Sequence, residues 1–173
     1  TGLGLPYAYT NHTRAFERYL LRMPRYSLRA ARDTDFEFSL LVTQDAMKEY
    51  VEATWGEWNA GAQRVAHATS FNVETYQVVC VAGQEAGILA VEDHPAHVQL
   101  EILYLLAGFR NSGVGAALLQ DVLARARGAG KPVRLRVLRV NTSAQRFYAR
   151  HGFVTTSATR ERCFMAWDGD DKR

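Results

Sequence analysis

The 173 residues are 47% hydrophobic and 23% charged, with 21 basic against 18 acidic side chains, which suits one globular domain burying about two-thirds of its unfolded surface. No run of about 18 apolar residues is present to span a bilayer and no signal-peptide pattern is read, so a cytoplasmic protein without membrane association is expected. Two distant cysteines, Cys80 and Cys163, give neither a CxxC pair nor a disulfide framework, and the pair His94 and His97 straddles Pro95 with no further ligand, so no metal is expected.

In chain order, Phe16, Tyr19, Leu20 and Met23 recur at helical spacing before Pro24, which predicts an amphipathic helical extension over residues 1–24. The main domain is expected over 25–167. It opens with a short strand, Tyr26 to Ala30, and a helix capped at Asp33 or Thr34 that turns Phe36, Leu40, Leu41 and Met47 inward. This helix leads into the aromatic and acidic stretch Tyr50 to Trp58, with Gly56 ending or bending it; the stretch suits the core or a lid, and Tyr50, Glu52 and Trp55 are also candidates for the wall of a pocket for a cationic group. Strands follow at Tyr76 to Ala82, Ala86 to Val91 and His97 to Leu106, with a turn at Gly83-Gln84, and imply an antiparallel meander. A helix from Gly115 to Arg127, a strand from Val133 to Leu138, a helix from Asn141 to Arg150 and a last strand pair ending at Trp167 complete the domain. The polar residues 168–173 read as a disordered tail.

Arg110 to Arg150 carries nine basic residues against Asp121 alone, whereas Asp33 to Glu57 carries seven acidic ones against Lys48 alone. A basic segment of this size means a phosphate partner only if a phosphate-binding loop lies in it. Arg110-Asn111-Ser112-Gly113-Val114-Gly115 supplies such a loop, directly after an apolar strand and directly before an amphipathic helix. Glycines there let the backbone approach a ligand, and consecutive N–H groups with the helix dipole favour a pyrophosphate. The fingerprints GxGxxG and GxxxxGK[ST] are both absent, which removes Rossmann and P-loop readings.

Arg110, Gly113 and Gly115, followed after a strand by Asn141, Ala144, Tyr148, Gly152 and Phe153, resemble the signature of the GNAT superfamily of N-acetyltransferases. Ala107 departs from the proline many relatives carry before the Arg. The resemblance implies a mixed α/β fold: a central, mostly antiparallel sheet with one splayed parallel strand pair, flanked by helices. It further implies acetyl-CoA as cosubstrate, with Leu103, Tyr104 and Leu105 along the pantetheine arm, backbone groups of Arg110, Asn111, Ser112, Gly113, Val114, Gly115 and Ala116 around the pyrophosphate, and Asn141, Phe147 and Tyr148 on the opposite side. In such a site Tyr148 matches the general acid for the departing thiolate. Glu101, two residues before Leu103 in a strand and so on its face, is the candidate base or ammonium-binding group. The activity implied is transfer of an acetyl group to a primary amine of a small molecule, an amino acid or a protein, by a monomer or homodimer. The alternatives are a non-catalytic acyl-CoA-binding or sensing module and, with no motif behind it, a nucleic-acid binder.

Overall fold

The computed structural model describes residues 25–169; the predicted helix around Phe16 to Met23 lies outside the described residues. Seven strands form one sheet in the order β1-β2-β3-β4-β5-β7-β6. They are β1 (Tyr26–Ala30), β2 (Tyr76–Val81), β3 (Gln84–Asp93), β4 (Val98–Leu105), β5 (Val133–Leu138), β6 (Val154–Ala158) and β7 (Arg162–Trp167), joined by helices α1 (Phe36–Trp55), α2 (Ala60–Ser70), α3 (Val114–Gly128) and α4 (Thr142–Arg150). Every neighbouring pair is antiparallel except β4 and β5, which α3 connects as a crossover. That parallel pair is short: only Val98 opposite Val133 and Gln99 opposite Arg134 are in register, and beyond them the strands part.

Two apolar layers sandwich the sheet. On one face Val114, Leu118, Leu119, Val122 and Leu123 of α3 pack with Tyr148 of α4 against Val98, Leu100, Leu105, Val133, Leu135 and Met165. On the other, Val42 of α1 packs with Ala31, Tyr76, Ile88 and Ala90, flanked by Ile102 and Tyr104. A fully buried leucine such as Leu118 or Leu119 contributes roughly 1.5–3 kcal/mol.

Three expectations change. The inward stripe of α1 runs through Ser39 and Val42, leaving Leu41 55% exposed. The β2–β3 turn falls one residue early, with Ala82 at φ 50° and Gly83 at φ 78°, so that Gln84 already pairs with Val81. Helix α2 is additional: Asn59 caps it by accepting from the Ala62 N–H at 2.8 Å, yet His67 is its one buried residue, so it has no apolar stripe to betray it.

The register of β3 against β4 carries a consequence for the site. Ala90 lies opposite Ile102 and Val91 opposite Leu100, so Glu101 is the extra residue of a β-bulge. Strict alternation would put Glu101 on the face of Leu103. The bulge interrupts it: Leu103 packs with the α3 layer, Ile102 and Tyr104 with the α1 layer, and the Glu101 carboxylate meets Arg136, whose strand neighbours Leu135 and Val137 face the α3 layer.

A candidate acyl-CoA cleft

The parting of β4 from β5 opens a cleft of about 1020 Å³ that continues to α1 on one side and to the start of α3 and α4 on the other. Leu106 donates its N–H to the Ala86 carbonyl at 2.9 Å. Because polar groups alternate in direction along an antiparallel strand, those of Leu103 and Leu105 turn toward the seam instead. The Leu105 carbonyl is taken there by Arg110 Nε at 2.8 Å. The Leu105 N–H has no strand partner among the described residues.

At the end of β4 the chain makes one 3-10 turn (Ala107–Phe109), and Asn111 and Gly113 then adopt φ of 57° and 86°, reversing its direction into α3. No side chain caps α3, and its first internal bond runs from the Ala117 N–H to the Gly113 carbonyl at 3.0 Å. The N–H groups of Val114, Gly115 and Ala116 therefore leave the helix end without intrahelical acceptors. Asn111, Gly113, Gly115 and Ala116 line the cleft beside them, a geometry suited to a diphosphate. Ser112 and Val114 do not line it: the Ser112 hydroxyl donates to the Phe109 carbonyl at 2.6 Å, and the Val114 side chain is buried in the core. The Arg110 guanidinium braces the loop: besides Leu105 it holds the Asp45 carbonyl at 3.0 Å and the Asp45 carboxylate, which also accepts the Ala107 N–H at 3.0 Å.

From the far wall come Asn141, Phe147 and Tyr148. Asn141 is the N-cap of α4, its side-chain oxygen accepting the Ala144 N–H at 2.9 Å, so only its amide N–H groups are free for a ligand. Tyr148 is buried between Phe147 and Phe153 at ring distances of 5.2 and 5.5 Å. Burial, and after it the Tyr104 phenol, holds the Tyr148 hydroxyl well above the ordinary phenol range, so it keeps its proton at neutral pH. Tyr104 is itself pushed up to about 12, chiefly by burial.

On the α1 side Tyr50 lines the cleft, whereas Glu52 and Trp55 do not. Glu52 lies on the exposed side 4.0 Å from Lys48, and Trp55 reaches the cleft only through Arg162, whose guanidinium carbon stands 5.8 Å above its ring centroid. Glu101 does line it, with its carboxylate held by Arg136 at 3.0 Å. Reasoning from the sequence missed Arg136, Arg162, Tyr76 and the phenol of Tyr104 in this half, along with His67, buried with Nε2 at 2.9 Å from the Ser39 hydroxyl. No spacing signals them, because strand register and helix α2 bring them together. Among the described residues no cluster of three or more metal-ligating side chains occurs, and no helix is long and apolar enough to cross a membrane.

Comparison with known proteins agrees with this geometry. The profile of the Acetyltransferase (GNAT) domain matches residues 74–155. Uncharacterised N-acetyltransferases of Mycobacterium tuberculosis and Mycobacterium bovis are 49% identical over 57 residues, a stretch covering 32% of this chain and only 36% of each relative. Among solved structures, the PaiA N-acetyltransferase of Thermoplasma acidophilum in complex with coenzyme A superposes with a TM-score of 0.68 at 16% identity, over 83% of this chain and 99% of that one. The ribosomal-protein-S18-alanine N-acetyltransferase of Escherichia coli gives a TM-score of 0.62 at 16% identity, over 83% and 93% of the two chains.

Proposed function

Because this chain has the GNAT N-acetyltransferase fold, we propose that it is an acetyl-CoA-dependent N-acetyltransferase that serves a primary amine by direct attack. The observation that carries the reading is the uncapped N-terminus of α3 opening onto the β4–β5 seam, with a protonated tyrosine on the opposite wall. Acetyl-CoA, when bound, supplies a thioester as the acyl donor.

The residues divide the work by position. The amides of Gly115 and Ala116 hold the diphosphate, and the seam-facing groups of Leu103 and Leu105 pair with the pantetheine amides as an added strand pairs with an edge. The Leu105 N–H, left without a strand partner at the seam, is the donor for negative charge developing on the acyl oxygen. Asn141 and Phe147 flank the arm. Tyr148 delivers its proton to the leaving sulfur, and the loss of water around it keeps that proton in place until then. Glu101, whose carboxylate is held by the Arg136 guanidinium, is better suited to drawing in an ammonium group than to removing its proton, which leaves to water.

Thiol release from acetyl-CoA, followed with a panel of amines beside calorimetric CoA binding, tests the reading. Tyr148→Phe is expected to lower kcat roughly 100-fold while CoA affinity stays within about twofold. Unchanged turnover removes Tyr148 from the acid role. Tight CoA binding by the native protein without transfer to any amine replaces the transferase with the non-catalytic acyl-CoA-binding module.

A further inference from the structure

Among the described residues four arginines line the cleft, and their surroundings differ. Arg110 is matched by Asp45 and Arg136 by Glu101, while Arg150 is exposed at the end of α4. Arg162 is partly buried, forms no ion pair among the described residues, and lies over the indole of Trp55. Strand register fixes where it stands. Arg136 is opposite Phe164 and Arg162 opposite Leu138, so both arginines project from the face that carries Tyr104, the α1 side of the sheet. Both arginines, Glu101 and Tyr104 line the same cleft, where Glu101 meets Arg136 at 3.0 Å.

A partly buried guanidinium resting on an aromatic face keeps its fork of N–H donors free for a planar oxyanion, which it binds in bidentate fashion. Glu101 gives one carboxylate oxygen to Arg136 at 3.0 Å and keeps the other for an ammonium group. We propose that the acceptor is a small zwitterion, a primary amine that also bears a carboxylate, with its ammonium end drawn to Glu101 and its carboxylate clamped by Arg162 on the Trp55 platform. This rests on the transferase reading above and specifies its acceptor. Arg162 is thereby a specificity-determining residue, and the exposed indole of Trp55 is its support.

The test uses matched acceptors: alanine beside ethylamine, phenylalanine beside phenethylamine, and 4-aminobutyrate beside propylamine, each assayed with acetyl-CoA. For at least one pair, kcat/KM of the native protein is expected to favour the carboxylate member by about tenfold or more. Arg162→Met should bring that pair to parity by raising KM for the carboxylate member, with the plain amine and CoA affinity within about twofold; Arg162→Lys should keep part of the preference. Calorimetric titration of the preferred amino acid into the CoA-loaded protein reads the clamp without turnover, and its heat should vanish in Arg162→Met. Equal kcat/KM within every pair, or an Arg162→Met variant that binds CoA normally but loses both members of a pair alike, overturns the zwitterion acceptor and leaves the transferase standing. Failure of transfer to every amine with CoA bound overturns the transferase itself.

Discussion

Gly113 stands at φ 86°, a conformation L side chains resist, and its carbonyl starts α3 beside the free amides. Gly113→Asp adds a side chain in that strained position and a negative charge where a diphosphate is to sit, so calorimetric CoA affinity is expected to fall about tenfold or more. His67 provides a pH-dependent prediction of another kind. Its pKa is held below the usual histidine value, first by burial among Phe36, Phe71 and Tyr76, so as pH drops through about 6.5 the unfolded chain takes up a proton the folded chain refuses. Stability is lost in that direction, at most about 1.4 kcal/mol per pH unit for one proton. Urea midpoints measured between about pH 7 and pH 5 should fall less steeply in His67→Phe than in the native protein. At this scale the sequence was informative where chemistry is local: the Arg110 to Gly115 turn and Tyr148 sit within short motifs. Arg162 and the Glu101 bulge were illegible, because a pairing register between distant strands decides which way each side chain points.

Strand boundaries were legible almost to the residue for β1, β2 and β5, since turn residues punctuate apolar runs. Helix α2 was not, because alanine and polar residues fill it and no periodic stripe marks an inner face. The element most sensitive to a single atom is the β3–β4 pair. A Cβ on Gly87 would stand 2.2 Å from the Tyr104 carbonyl oxygen and 2.8 Å from Leu105 Cδ2, and backbone cannot swing aside as a flexible side chain would. Gly87→Ala is thus expected to push the end of β4 outward. It should cost about 1–3 kcal/mol in a denaturant titration and weaken CoA binding together with it, because Leu105 carries the seam-facing N–H.

Across the whole molecule, Asp45 ties the two halves of the cleft. Helix α1 lines one side of the cleft, and through one carboxylate it holds both the Ala107 N–H and the Arg110 guanidinium of the loop that leads into α3. Asp45→Ala should raise the Kd for CoA and the KM for the amine together, each about 3- to 10-fold, whereas a residue serving one half moves one constant; initial-rate kinetics with both substrates varied separates these outcomes. The general architecture, a sheet opened at one parallel pair, was implied by the family resemblance alone, and how little of that pair survives was not, since register leaves no mark in composition. The seam has a last consequence, for the life of the protein between turnovers. Two strands part inside a continuous sheet, and the Leu105 N–H between them is left without a strand partner among the described residues. A ligand that fills the gap binds only the folded chain, so resistance to unfolding rises with the logarithm of its concentration. On the reading proposed above, acetyl-CoA in excess is expected to raise the urea midpoint of the protein, which unfolding titrations at two ligand concentrations check.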